Sequence, residues 1–258
     1  FQMGLFDDPF VDEKQAVQLV ASSEHTGLAR EVARQSIVLL KNKDKLLPLK
    51  KDIRTLAVIG PNADNVYNML GDYTAPQADG TVVTVLDGIR QKVSKETRVL
   101  YAKGCAVRDS SRTGFKDAIE TARNADAVVM VMGGSSARDF SSEYEETGAA
   151  KVTINQISDM ESGEGYDRAT LHLMGRQLEL LEEISRLGKP VVLVLIKGRP
   201  LLMEGAIQEA EAIVDAWYPG MQGGNAVADV LFGDYNPAGR LTLSVPRSVG
   251  QLPVYYNT

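Results

Sequence analysis

Five short runs of apolar, mostly β-branched residues constrain the fold of this chain more than any other feature. They are Thr55–Ile59, Arg98–Tyr101, Ala127–Met132, Val191–Ile196 and Ala212–Ala216. Each is almost continuously hydrophobic, which is how a strand reads when helices cover both of its faces. Stretches with helical spacing of their apolar residues separate the runs: Val82–Val93, Thr113–Arg123, Met174–Leu187 and Gly223–Phe232. Alternation of this kind predicts a parallel sheet between two helical layers. A sixth run, Leu241–Val245, alternates apolar with polar residues and is reached through Gly233, Asp234, Pro237 and Gly239. It is expected at a sheet edge, antiparallel to its neighbour. The predicted class is therefore α/β, with a six-stranded, mostly parallel sheet sandwiched between helices and one antiparallel edge strand.

Upstream, Leu28, Val32, Ala33, Ile37, Leu39 and Leu40 recur near helical spacing and predict one amphipathic helix over His25–Lys41. The segment Leu5–Phe10 is turn-rich, and its aromatics have no periodic partners nearby, as in a linker that docks against something else. Residues 1–24 are accordingly assigned to a linker and 25–258 to one domain.

Composition narrows the partners. The net charge of -6 comes from 34 acidic and 28 basic residues spread along the chain, without the basic stripe that phosphate neutralisation needs. Nucleic acid is not an expected partner. No run of about 18 apolar residues is present, so no membrane-spanning helix is expected either. Cys105 is the only cysteine and His25 and His172 are the only imidazoles, which excludes an internal disulfide and a Cys/His metal cluster. Neither a cofactor nor a metal is expected.

In doubly wound sheets ligands gather outside the carboxyl ends of the strands. The connection Gly133–Leu173 follows one such end, and its length and its wealth of Ser, Glu, Asp and Gly mark it as functional or disordered. Several motifs there and elsewhere bear on function. A Walker phosphate loop is absent. Gly163-Glu164-Gly165-Tyr166-Asp167-Arg168 approaches the dinucleotide fingerprint, but Arg168 replaces the third glycine and no strand leads into it. Gly133-Gly134-Ser135-Ser136-Ala137 partly resembles a nucleophile elbow, with His172 as a conceivable base, yet polar loop rather than helix follows. Asp159 to Arg168 places four carboxylates and one guanidinium within ten residues, and Glu164 stands between two glycines. On spacing alone the favoured reading is a solvated acidic loop held by an Arg–Asp pair.

At these residues the chain resembles a known family. Ser162-Gly163-Glu164-Gly165-Tyr166-Asp167-Arg168, with Leu171 and Leu173 and then Gln177, Leu180 and Leu181, is similar to the second domain of family 3 glycoside hydrolases, the β-glucosidase and β-xylosidase group. Leu39-Leu40-Lys41-Asn42, Leu46 with Pro48-Leu49, and Val58-Ile59-Gly60-Pro61-Asn62-Ala63 look like that domain's opening. Gly188-Lys189-Pro190, Gly198-Arg199-Pro200, Trp217-Tyr218-Pro219-Gly220 and Asp234-Tyr235-Asn236-Pro237-Ala238-Gly239-Arg240 look like its second half.

The resemblance implies a sandwich domain that packs against a preceding (β/α)8 barrel, which carries an aspartate nucleophile and is expected outside this chain. Glu164 matches the family's acid/base position, with Glu161 as the second choice. Tyr73, Arg138, Asp139 and Tyr166 are the substrate-binding candidates it suggests, while Asn62, Arg199 and Arg240 are expected to be structural. The substrate would be a β-linked glucoside or xyloside, the isolated chain would be inactive, and a periplasmic or secreted location is favoured. The competing reading is a non-catalytic carbohydrate-binding or interaction module whose acidic loop holds a sugar or a protein.

Overall fold

A computed structural model describes residues 1–137 and 159–255. Six strands form one sheet: β1 Val38–Asn42, β2 Thr55–Ile59, β3 Arg98–Ala102, β4 Ala127–Gly133, β5 Val191–Ile196 and β6 Ala212–Trp217. Their spatial order is β1-β6-β5-β4-β2-β3. All neighbours run parallel except β1, which lies antiparallel to β6. The α/β class, the strand count and the single antiparallel edge match expectation.

The identity of the edge strand does not. Leu241–Val245 forms no strand, and the antiparallel edge is Val38–Asn42, which the periodicity had assigned to the end of a helix. The helix stops at Ser36, whose hydroxyl donates to the Ala33 carbonyl. Beyond it Ile37-Val38-Leu39-Leu40 is a continuous apolar run, which suits a strand as well as a helix turn, and pairing with β6 decides between them. With β1 on that edge of β6, residues 241–245 have no ladder to join there.

Helices α1 Glu13–Leu19, α2 Ser23–Ser36, α3 Val66–Leu70, α4 Val85–Lys92, α5 Phe115–Arg123, α6 Gln177–Ser185, α7 Glu204–Glu209 and α8 Gly223–Leu231 surround the sheet. Alternate strand residues point to opposite faces. Val58, Val129, Val194 and Val214 meet α4 and α8, whereas Ile59, Met130, Leu193 and Ile213 meet α5, α6 and α7. In contrast, α1 buries no residue, and Leu28 and Val32 of α2 remain 63% and 60% exposed.

A charged knot ties α2 and α4 to α8. The fully buried Asp229 carboxylate accepts from Arg30 Nε at 2.7 Å, Arg30 Nη2 at 2.6 Å and Arg34 Nε at 2.7 Å, and pairs with Lys92. Burial pushes this carboxyl up, but the hydrogen bonds from Arg30, Lys92 and Arg34 outweigh it and bring the pKa down from 3.8 to about 2. A depressed folded-state pKa contributes stability that is complete above the unfolded value and is lost as pH falls through the folded one. Asp229 should therefore contribute about 2 kcal/mol that disappears between roughly pH 4 and pH 2. Urea titrations across that range should show the loss in the parent chain and a flatter profile in Asp229→Asn. Parallel profiles would contradict the assignment.

Candidate functional site

The order in which strands are added to the sheet reverses at β2. From β2 the chain steps outward to β3, then returns to the other side of β2 as β4. The crevice at the carboxyl ends of β2 and β4 is the topological switch point of this sheet, where ligand sites form in open α/β folds.

Buried amides build its floor. The Asn62 amide donates to the Gly134 carbonyl at 3.1 Å and to the Ile196 carbonyl at 3.3 Å, and its oxygen accepts from Asn68 Nδ2 at 2.7 Å. Ser135 Oγ in turn donates to Asn68 Oδ1 at 2.6 Å. From the other side the Gln177 side chain receives the Gly133 amide at 2.9 Å and donates to the Gly133 carbonyl at 2.9 Å. These bonds satisfy strand-end groups that leave the ladder, so the exit of β4 is fixed. Asn62 is structural, as expected. Ser135 is not a nucleophile on an elbow, because it is buried and its hydroxyl is directed to Asn68 rather than to an imidazole.

The acidic segment returns onto this floor. The amide of Glu161 donates to the Ser135 carbonyl at 2.8 Å, and Ser162 shares a hydrogen bond of 3.2 Å with the Tyr218 hydroxyl. Glu161 itself is only 3% exposed. One oxygen of Glu161 pairs with Arg168, whose remaining nitrogens donate to the carbonyls of Thr170 and His172. The pair is thus a single-point contact within a staple that closes residues 161–172, not the Arg–Asp pair of the solvated-loop reading. Gly134 is required beside it, since a β-carbon there would lie 1.9 Å from Glu161 Oε1.

Glu164 is presented in the opposite way. It is exposed at the tip of a turn closed by the Tyr166 amide and the Gly163 carbonyl at 3.2 Å. Gly163 and Gly165 have φ of 107° and 79°, the left-handed region that a side chain would resist. The Tyr73 hydroxyl donates to Glu164 Oε2 at 2.7 Å, and Asp72 Oδ2 accepts from the Glu164 amide at 3.2 Å. Of the residues singled out in the sequence, Glu164 and Tyr73 are brought together. Tyr166 is half-buried two residues on, and its carbonyl accepts from Arg199 at 3.0 Å. Arg199 is therefore structural here, and Arg240, which donates to the Ala238 and Gly239 carbonyls, likewise pins a turn. Arg138 and Asp139, with the neighbouring Phe140, lie outside the described residues.

Sequence reasoning missed Asp72, Asn68 and Gln177. Asp72 carried a signal in its place beside Tyr73 in the loop after β2, and Gln177 in its place among the ordered motifs, although its grip on Gly133 left none. An acceptor for an amide 92 positions away leaves no periodic trace.

The family model of the glycosyl hydrolase family 3 C-terminal domain matches residues 37–258. A beta-xylosidase from Formosa agariphila is 42% identical over 99% of this chain and 33% of that protein. A periplasmic beta-glucosidase from Salmonella typhimurium is 39% identical over the whole chain and 34% of that protein. Among solved structures, a β-glucosidase from Erythrobacter marinus superimposes with a TM-score of 0.81 at 38% identity, covering 98% of this chain and 34% of that one. The chain thus spans about a third of the length of the curated relatives it matches.

Proposed function

The chain belongs to glycosyl hydrolase family 3 as its C-terminal domain, and from that premise we propose that it supplies Glu164 as the general acid/base of a retaining β-glycosidase. The observation that carries this reading is the contrast between two neighbouring carboxylates. Glu161 is buried against Arg168, while Glu164 stands exposed at the switch-point crevice with its carboxylate oriented by Tyr73. A proton donor for a sugar must be reachable, and Glu164 meets that condition.

Retaining hydrolysis needs two carboxyl groups about 5 to 5.5 Å apart. In the first step a nucleophilic carboxylate forms a bond to the anomeric carbon while the glycosidic C–O bond breaks. The electron pair goes to the leaving oxygen, which takes the proton of Glu164. In the second step the Glu164 carboxylate removes a proton from water as the water oxygen attacks the anomeric carbon and expels the nucleophile. Glu164 ends as it began, protonated.

The nucleophile of this scheme is an aspartate on a (β/α)8 barrel outside this chain, with residues 1–24 as the connector. That division fits the exposed apolar residues Phe6, Phe10, Val17 and Val20 of the segment. The substrate is a terminal β-glucoside or β-xyloside, since relatives of both kinds are similar to this chain over nearly all of it. Tyr73, 75% exposed beside Glu164, offers a ring face to the sugar on the leaving-group side, and Tyr166 borders the same tip.

Product stereochemistry tests the reading. When the full-length polypeptide hydrolyses an aryl β-glucoside or β-xyloside, proton NMR should detect the β-anomer of the free sugar before mutarotation. The present chain alone should release no nitrophenol. An α-anomer appearing first, or turnover by the isolated domain, would refute the shared two-carboxylate site.

A further inference from the structure

We propose that Asp72 and Tyr73 form a positioning corner for Glu164, Asp72 fixing its backbone and Tyr73 its carboxylate. The proposal rests on the acid/base reading of Glu164 and adds to it a residue pair that acts through that carboxyl.

Glu164 cannot hold itself in place. Its neighbours Gly163 and Gly165 allow the tripeptide more backbone freedom than any other residue type would. The restraint has to come from outside the turn, and the corner after α3 delivers it at both ends of the glutamate. Asp72 Oδ2 accepts the Glu164 amide at 3.2 Å, and the Tyr73 hydroxyl reaches Glu164 Oε2 at 2.7 Å. The other oxygen of Asp72 accepts the Tyr73 amide at 2.8 Å, so one carboxylate couples the two backbones.

Two further observations point the same way. Tyr73 has φ of 57°, a conformation that is strained for a bulky residue, and its ring is 75% exposed. Backbone strain of this kind persists where surrounding contacts hold it, and the hydroxyl's bond to Glu164 is one of them. The contact is also close enough to exclude a side chain at position 163, where a β-carbon would lie 2.8 Å from Asp72 Oδ2 and 2.7 Å from Met160 Cε. The corner itself is anchored. Gly71 is packed so that a β-carbon would sit 3.2 Å from the Tyr218 ring, and the Tyr218 hydroxyl meets Ser162 of the acidic segment. A carboxyl that gives a proton to one oxygen and later takes one from another depends on being held within fractions of an ångström.

Variants of the full-length protein, assayed on a β-disaccharide and on a 2,4-dinitrophenyl β-glycoside, test the corner. Asp72→Ala should lower kcat on the disaccharide about 10- to 100-fold with KM nearly unchanged, and should alter kcat/KM for the activated substrate less than about threefold. Asp72→Asn keeps a single acceptor oxygen, enough for the Glu164 amide or the Tyr73 amide but not for both, and should recover only part of the loss. Tyr73→Phe should give a selective loss of about 10-fold, and it decides the matter even if the alanine variant misfolds. Equal slowing on both substrates, an effect confined to KM, or an asparagine variant no better than alanine would overturn the positioning role. Glu164→Ala with added azide separates the two layers. Formation of a β-glycosyl azide there, with Asp72 and Tyr73 variants unselective, would remove the corner alone. No azide product would remove the acid/base reading beneath it.

Discussion

Glu164→Gln in the full-length enzyme is expected to lower kcat/KM for glycosides with poor leaving groups by about 10²- to 10³-fold while lowering kcat/KM for dinitrophenyl glycosides less than about 10-fold. The glutamine keeps the size of the side chain and an oxygen for the Tyr73 hydroxyl, so the turn and its partners should persist. What it lacks is a proton to give. A disaccharide must expel an alkoxide, which is too basic to leave unprotonated, whereas dinitrophenolate leaves without help. The gap between the two substrates measures the acid function. Water activation in the second step also suffers, so the glycosyl-enzyme should accumulate with activated substrates, and a pre-steady-state burst should appear. A uniform loss on both substrates would mean that Glu164 binds sugar or shapes the loop and does not transfer the proton. In that case the binding-module reading would regain ground.

The second large effect concerns stability. Gly224→Ala should lower the melting temperature by roughly 10 °C or more, corresponding to over ~3 kcal/mol. Propensity argues the other way, since alanine is a better helix former than glycine, by at most about 1 kcal/mol in the first turn of α8 where Gly224 stands. Geometry decides the sign. Helices α4 and α8 cross where Gly88 and Gly224 face one another, and a β-carbon on Gly224 would lie 1.9 Å from the Thr84 carbonyl oxygen. A β-carbon on Gly88 would lie 2.1 Å from the Gly224 oxygen. Both obstacles are backbone, so no rotamer change relieves them, and the helices must separate. Gly27→Ala supplies the control. Gly27 is exposed in α2 with nothing within 4 Å of an added β-carbon, and there the same substitution should be neutral or stabilising by up to about 1 kcal/mol. Equal melting temperatures for the two variants would contradict the close helix crossing.

How much of this was legible beforehand depended on the range of the interactions involved. The doubly covered strands β2, β4, β5 and β6 announced themselves because burial on both faces leaves an unbroken apolar run in the sequence. Val38–Asn42 did not, since an edge strand is only partly buried and its apolar run is continuous with the helical pattern of α2. Leu241–Val245 showed the alternation of a half-buried strand, but a strand also needs a partner edge, and β1 had taken it.

The same division runs through the site. The sequence by itself determined the α/β class, the position of the long connection after β4, and the family to which the ordered motifs point, all of which rest on local composition and chain order. Only the tertiary structure decided that Glu161 is buried in a staple with Arg168 while Glu164 faces outward, and that Asp72 and Tyr73 close on it from 92 and 91 positions away. A carboxylate's role is set by its solvation and by what lies within about 3 Å of it. Neighbours along the chain fix the backbone a glutamate stands on, but the groups that orient its oxygens arrive from elsewhere in the fold.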